Sequence, residues 1–434
     1  MLKHLQLAIK KAINSFWFWP LGLAISAALL FGLTYYLDGR FAADFLAQYP
    51  PPLSIGTAGA RQVLATIAGS LITVASLVFS MTLIALTVAA GNIGARLLLR
   101  YMQNRSIQLT LGIFLAGFIY ALLTLTAIGG QAAYVPRLSV LTAIVIAILC
   151  FVWLVFAFHD LAKSIQVDQA IAELSASLCA ALKRFQHSED RARPVRDELP
   201  EGIKATSLNA VDGGYVVSIN SDGLMDVADQ HDLVVRLLVK PGSFVIPGEK
   251  LADIGCCNGS AGEPAVWATV IRNSIILSSS RNDLDDPFFC LRLLNEIAAR
   301  ALSPSLNDIY TAMVCVDHVS LGVEYVLKQG LPCNGWENSS GKLRVIYSPY
   351  YFDEFVYAAF EQIRHAGMAS PALVLRLLDR LKRLSQLAET GLHKRCLDRY
   401  LDRVYRSARQ ALINQADLAL LESAYTRVQR RDYY

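Results

Sequence analysis

The sequence predicts an α-helical polytopic membrane domain of four transmembrane helices. A cytoplasmic α+β region follows, with a small β-barrel-like module and a helical C-terminal part. Three observations predict it. Four long uncharged apolar stretches fall before His159 in a chain of 434 residues. Charged residues make up only 18% of the chain, against about 25% in soluble proteins, and the deficit is concentrated in that first third. Beyond residue 200 the apolar period changes to two, and beyond Pro287 it returns to helical spacing. The boundaries follow: residues 1–158 for the membrane domain, 159–200 for a helical stalk and linker, 201–280 for the β-rich module and 281–434 for the helical part.

A helix needs about 20 apolar residues to cross about 30 Å of hydrocarbon. Phe16 to Leu37, Gln62 to Ala90, Ile107 to Ile128 and Leu138 to Phe158 each meet that requirement without a charged residue. Phe16, Trp17 and Trp19 at one end of the first span, with Tyr35 and Tyr36 at the other, form aromatic belts at both interfaces. The apolar run is longer than a signal-peptide core and no small-x-small site follows, so the segment reads as an anchor. Lys3, Lys10 and Lys11 precede the first span. Arg96, Arg100 and Arg105 separate the second from the third, and Lys163, Lys183 and Arg184 follow the fourth. The opposite loops carry Arg40 and Arg61 against Asp38 and Asp44, then Arg137 alone. By the positive-inside rule both termini face the cytoplasm of a bacterial inner membrane.

From His159 to Phe185 there is no Gly or Pro, and Leu161, Ile165, Ile171, Leu174, Leu178, Leu182 and Phe185 recur near helical spacing. This reads as a stalk, packed on its own domain or paired with a second subunit. Tyr215–Ile219 and Leu233–Val239 read as strands, bounded by turn signals at Asp212-Gly213-Gly214 and Asn220-Ser221-Asp222-Gly223. The run Pro241-Gly242-Ser243 through Pro247-Gly248-Glu249 looks like the paired turns of biotinyl/lipoyl-type barrels, without their modifiable lysine. Asp286-Pro287 signals a helix start, and Asn307 or Asp308 caps the next helix. Leu343–Tyr347 is one further strand before helices that run to the end. The eight cysteines include no C-x-x-C pair and read as free thiols.

Four passages carry a family resemblance. They are Ala68-Gly69-Ser70-Leu71-Ile72-Thr73-Val74-Ala75-Ser76-Leu77-Val78-Phe79-Ser80, Ser164-Ile165-Gln166-Val167-Asp168, Glu296-Ile297-Ala298-Ala299-Arg300-Ala301-Leu302-Ser303-Pro304-Ser305-Leu306-Asn307-Asp308, and Phe360-Glu361-Gln362-Ile363-Arg364. Together they resemble a bacterial membrane-protein family of unknown function, domain of unknown function twenty-two fifty-four. Ser305 stands where the family commonly has Gly, and Ile309 where it commonly has Pro. The resemblance implies the topology above and brings no activity, cofactor or substrate.

The second span is the most unusual element chemically. Thr66, Gly69, Ser70, Thr73, Ser76, Ser80 and Thr87 fall within roughly a third of a helical circumference, with Thr82 elsewhere. Small hydroxyl residues on one membrane face either pack helices closely or line a wet path. On the second reading Thr66, Ser70, Thr73, Ser76, Ser80 and Thr87 line a pore, and Arg96 and Arg100 ring its cytoplasmic mouth. Leu77 and Leu86 then stand as dry references away from the stripe. Gly112 and Ala116 form a small-x-x-x-small pair suited to close helix approach, as in an oligomer. His159-Asp160 is a polar cap or a pH-sensitive pair. Asp283, Asp285 and Asp286 are a cation cluster or a helix cap, and Arg292, Glu296 and Arg300 form a helix-face ladder. No span carries an acid or base for a proton relay, and no phosphate-loop, dinucleotide, zinc-protease or nucleophile-elbow motif is present. A net charge of +4 gives no case for nucleic acid. The expectation is an oligomeric inner-membrane channel or passive transporter, not an enzyme, without cofactor or metal. Its partners are the lipid bilayer, copies of itself and a small ion or solute. The alternative is a non-conducting scaffold or sensor whose cytoplasmic domain binds a ligand or protein.

Overall fold

The computed structural model describes residues 17–45, 56–94, 105–128, 135–164, 166–186, 192–201, 203, 205–256, 264–279, 281 and 286–430. The chain forms two compact units, Met1–Gln169 and Ala170–Tyr434.

The first unit is built from α1 (Phe18–Phe45), α2 (Thr57–Ile93), α3 (Arg105–Ala127) and α4 (Arg137–Ser164). All four are long and apolar enough to cross a membrane. α3 buries the largest share of its span and contacts each of the other three. Glycine explains how. A Cβ on Gly112 would lie 2.7 Å from Leu23 Cδ1 and 3.0 Å from Pro20 Cα, so the backbone of α1 sits directly on it. A Cβ on Gly117 would come within 3.0 to 3.3 Å of Leu71, Ile146 and Cys150, where α2 and α4 converge. The close approach expected of the Gly112 and Ala116 pair is therefore made within one chain. Leu64, Ala68, Tyr120, Ala121 and Ala143 form one packed layer, and Leu71, Ala75, Phe114 and Cys150 the next. At about 1.5 Å per residue, α2 is roughly 55 Å long, well beyond the hydrocarbon it has to cross.

α1 also corrects the expected end of the first span. It continues past Leu37 and carries Asp38 and Arg40 within the apolar helix, so a charged residue does lie in a span.

The next helix, α5 (Val167–Gln186), is distinct from α4, and the second unit begins within it at Ala170. Ile171, Leu174, Leu178 and Leu182 of the expected stalk are buried. A Cβ on Gly322 would lie 2.5 Å from Leu178 Cδ2, so this face packs on its own unit. Next come β1 (Ala192–Arg193), β2 (Ala205–Asn209), β3 (Gly214–Ile219), α6 (Ser221–Gln230), β4 (Leu233–Leu237), β5 (Phe244–Val245), β6 (Lys250–Cys256), α7 (Pro264–Ser274) and β7 (Ile275–Ser278). Then follow α8 (Pro287–Ala301), α9 (Ile309–Gln329), β8 (Gly335–Glu337) and β9 (Leu343–Ile346). The chain ends with α10 (Phe352–Gly367), α11 (Pro371–Leu387), α12 (Gly391–Ala411) and α13 (Gln415–Arg430).

The strands form two sheets, ordered β1-β8-β9-β4-β6-β2 and β5-β3-β7. Among the described residues neither closes on itself, so the barrel-like module is not found as a barrel. The reason lies in the edges: β4 pairs antiparallel with β6 and parallel with β9, while β3 takes β5 and β7 into a separate sheet. The Pro-Gly turns do form, with Gly242 and Gly248 both at φ +88. Gly242 N–H donates to Val216 O at 2.8 Å, and Gly248 N–H to Ala210 O at 2.9 Å. The segment expected to turn at Asn220–Gly223 instead opens α6, whose Leu224 and Ala228 enter the core with Val235, Trp267 and Ile271.

Asp286 caps α8 by accepting from Phe288 N–H at 3.0 Å, with Pro287 in the first turn. Asp308 caps α9, accepting from Thr311 N–H at 3.1 Å and its hydroxyl at 2.6 Å. Ile309 is the first residue of α9, the position where Pro is best tolerated, so this departure from the family pattern leaves the helix start intact. Asn307 sits at φ +47 in the turn between α8 and α9.

Candidate functional site

α2 turns two chemically different faces outward and inward. Ala60, Leu64, Ala68, Leu71, Ala75 and Thr82 are buried in the unit. Thr66, Ser70, Thr73, Ser76, Ser80 and Thr87 are all exposed. At about 100° per residue the two sets lie on opposite sides of the helix. The structure thus brings the expected stripe residues onto one open face, and Thr82 off it. The same arithmetic gathers Ala58, Gln62, Gly69, Thr73, Ser76, Ser80, Thr87 and Gly91 into a sector of roughly 60°. Every one of these residues is exposed and none is a large apolar side chain. A Cβ on Gly69 would meet nothing within 4 Å.

Other outward faces of the first unit are different. α1 exposes Leu21, Ile25, Leu29 and Leu33, and α4 exposes Ile148, Leu149, Val152 and Phe156. Those are the side chains expected against lipid tails. The roughly 60° sector of α2 has none of them along about 33 residues, close to 50 Å of helix, although exposed Leu83 and Ile84 border it and exposed Leu77 and Val88 lie further round beside Thr66 and Ser70.

Thr66, Thr73 and Thr87 each donate to a carbonyl one turn earlier, Gln62 O at 2.8 Å, Gly69 O at 2.7 Å and Leu83 O at 2.8 Å. Their hydroxyl protons are satisfied inside the helix while the oxygens remain free to accept. Leu86 is half-buried, but Leu77 is 54% exposed and sits beside Thr66 on the wheel, so it is unsuitable as a dry reference. Arg96 and Arg100 lie outside the described residues.

A second polar group joins three helices of the same unit. Asp38 on α1, 3% exposed, accepts from Leu138 N–H at 2.8 Å and Ser139 N–H at 2.9 Å at the start of α4. Ser139 hydroxyl donates to Asp38 at 2.7 Å and lies 3.2 Å from Thr34 Oγ1. Thr34 Oγ1 in turn lies 2.8 Å from the Tyr120 hydroxyl of α3. The carboxylate meets the positive end of the α4 dipole and satisfies two amides that have no partner within the helix. Arg61 does the reverse at the C-terminus of α3, donating to Ile128 O through Nη2 at 2.8 Å and Nε at 3.2 Å. Counted from sequence, Asp38 and Arg61 are only loop charges; the pairing of Asp38 with Ser139, 101 positions on, has no local signature.

The third feature is in the second unit. Glu361 on α10 is buried and accepts from Arg364 at 2.6 and 3.0 Å, Tyr400 hydroxyl at 2.9 Å and Arg403 at 3.0 Å. Arg364 also donates to Ser407 Oγ at 2.7 Å, tying α10 to α12. Burial raises the carboxyl's affinity for a proton, but the hydrogen bonds from Arg364 and Tyr400 and the charges of Arg364 and Arg403 outweigh it. Its pKa is lowered to about 2.

Of the remaining candidates, Asp286 and the Glu296–Arg300 pair make structural contacts. Asp283 and Asp285 lie outside the described residues. Asp286 is buried, caps α8 and pairs with Arg281, whose Nε donates at 2.6 Å; burial raises its pKa while Arg281 pulls the other way. Among the described residues no group of three potential metal ligands occurs. Glu296 and Arg300 approach to 3.8 Å on α8. His159 and Asp160 sit near the end of α4. Beside Asp160, a cavity of about 20 Å³ among Thr82, Ser106 and Thr110 has room for one water. Cys150, Cys179 and Cys396 are free thiols.

Comparison with known proteins agrees with the membrane architecture. Uncharacterised proteins of Mycobacterium bovis and Mycobacterium tuberculosis are 27% identical over 379 residues, which covers 86% of this chain and 73% of theirs. No solved structure matches. The pattern of the predicted-membrane-protein family DUF2254 matches residues 13–383, and the chain belongs to that family.

Proposed function

We propose that this membrane protein is one subunit of a homo-oligomeric channel or passive transporter, with the open face of α2 turned toward the symmetry axis. Both termini lie in the cytoplasm of the inner membrane, and the second unit serves gating or assembly. The reaction inventory is empty on this reading: the protein moves a solute and transforms nothing. One observation carries the proposal. The α2 sector from Ala58 to Gly91 is polar or small, exposed and turned away from the helix's buried face. A bilayer-facing surface is normally bulky and apolar, as α1 and α4 are here. Copies of α2 around an axis give that sector either water or one another as neighbour.

The satisfied hydroxyls of Thr66, Thr73 and Thr87 favour a second reading, in which α2 helices pack dry against one another in a non-conducting scaffold or sensor. Both readings require copies of α2 to meet. With the native cysteines replaced, Ser76→Cys in native membranes should give a disulfide-linked dimer on mild oxidation. Leu29→Cys on the bulky face of α1 should not. A monomeric mass in mild detergent, with no crosslink at Ser76, removes the channel reading and the α2-packed form of the second.

A further inference from the structure

The C-terminal helices carry a surface that the membrane reading leaves unused. α12 buries Leu397, Tyr400, Leu401, Val404 and Ala408. Its other side presents Arg395, Arg399, Arg403 and Arg406, all exposed. Their spacing of i, i+4, i+8 and i+11 sets four guanidinium groups along one face. The acids of this helix are engaged elsewhere: Asp398 accepts from Ser385 hydroxyl at 2.6 Å, and Asp402 from Tyr425 hydroxyl at 2.6 Å. Arg403 is paired with Glu361, while among the described residues Arg395, Arg399 and Arg406 form no ion pair. Two exposed aliphatic residues bracket the row. Leu392, 69% exposed, stands one turn before Arg395, and Ile413, 94% exposed, lies just past the helix end.

Like charges one turn apart oppose helix formation unless an anion faces them. A row of arginines flanked by exposed aliphatic side chains suits an anionic membrane surface, with the cations at the headgroups and the aliphatic residues at the acyl boundary. The chain is itself anchored in a bilayer, so headgroups are present at high effective concentration. We propose that this face of α12 docks on anionic phospholipid headgroups, with Leu392 and Ile413 entering the boundary beneath them. The inference rests on the membrane anchorage and is independent of the pore reading.

The test uses full-length protein in nanodiscs of phosphatidylcholine, with or without phosphatidylglycerol, and a photoreactive amino acid in place of Ile413. Irradiation should give lipid adducts at that position when phosphatidylglycerol is present, and several-fold fewer without it. Each arginine near an anionic surface strengthens attachment roughly fivefold. The triple variant R395Q/R399Q/R406Q should therefore lose more than nine-tenths of the adducts while its thermal transition stays at the parent value. All three positions are exposed and unpaired, so the fold does not depend on them. Equal adducts in both lipids, adducts unchanged by the triple variant, or crosslinks to a second copy or another macromolecule would each overturn the proposal.

Discussion

Asp38 accepts the backbone N–H of Ser139 at 2.9 Å and its hydroxyl at 2.7 Å, so one membrane helix supplies the N-terminal cap of another. Asp38 and Ser139 are both buried, where amides left without a partner are costly, and the carboxylate satisfies two of them at once. Asp38→Ala is expected to destabilise the detergent-solubilised protein by about 1–3 kcal/mol. Asp38→Asn keeps an acceptor and should lose less. Thermal unfolding of the two variants beside the parent checks the order; equal losses would mean that the amides are satisfied in another way.

The glycines of α3 make a second prediction. Gly112→Leu forces a side chain into the backbone of α1 at Pro20, and Gly117→Val forces one between Leu71, Ile146 and Cys150. Each should cost about 1–3 kcal/mol by overpacking. Gly69→Ala on the open face of α2 should leave the stability of the subunit unchanged, since nothing lies within 4 Å of the added methyl.

The Glu361 cluster predicts an acid dependence. Its carboxyl is lowered to about 2, below the ordinary value of 4.5, so the unfolded chain takes up the proton first as pH falls. The stabilisation is complete above the ordinary value and is lost on acidification from there toward pH 2. Glu361→Gln leaves buried Arg364 without its counter-charge and should cost about 3 kcal/mol near neutrality. The deficit relative to the parent should shrink as pH falls below 4. A constant deficit across that range would show that the loss comes from packing.

Topology gives the fourth prediction. Reporters active only outside the cytoplasm should be active when fused after Tyr49 and Ala133, and silent after Arg100 and Arg196. Activity at Arg196 would reverse the orientation and take the second unit out of the cytoplasm.

The four spans were legible because each is a local run of apolar residues long enough to cross hydrocarbon. The caps at Asp286 and Asp308 were legible for the same reason, since their partners lie within three residues. The β-rich part was less so. β4 takes β9 as a parallel neighbour from more than 100 positions away, and no local period announces that pairing. The Asn220–Gly223 segment reads as a turn because its residue types suit one, yet Leu224, Val227 and Ala228 behind it bury as a helical face. At the candidate site, the wheel placed the hydroxyl residues of α2 together. It did not say whether they face inward; that required the buried positions of Leu64, Ala68, Leu71 and Ala75 on the opposite side.

Thiol accessibility along α2 tests the central claim most directly. In a background without native cysteines, single cysteines at Ser70, Thr73, Ser76 and Ser80 are compared with cysteines at Leu29 and Phe156, which are exposed on bulky apolar faces. A membrane-impermeant reagent attacks the thiolate, which forms in water and not in hydrocarbon. The pore account predicts rapid modification at the α2 positions and almost none at Leu29 and Phe156. It also predicts an accompanying change in ion or solute flux through reconstituted vesicles. Uniformly unreactive α2 cysteines, with flux unchanged, would contradict it.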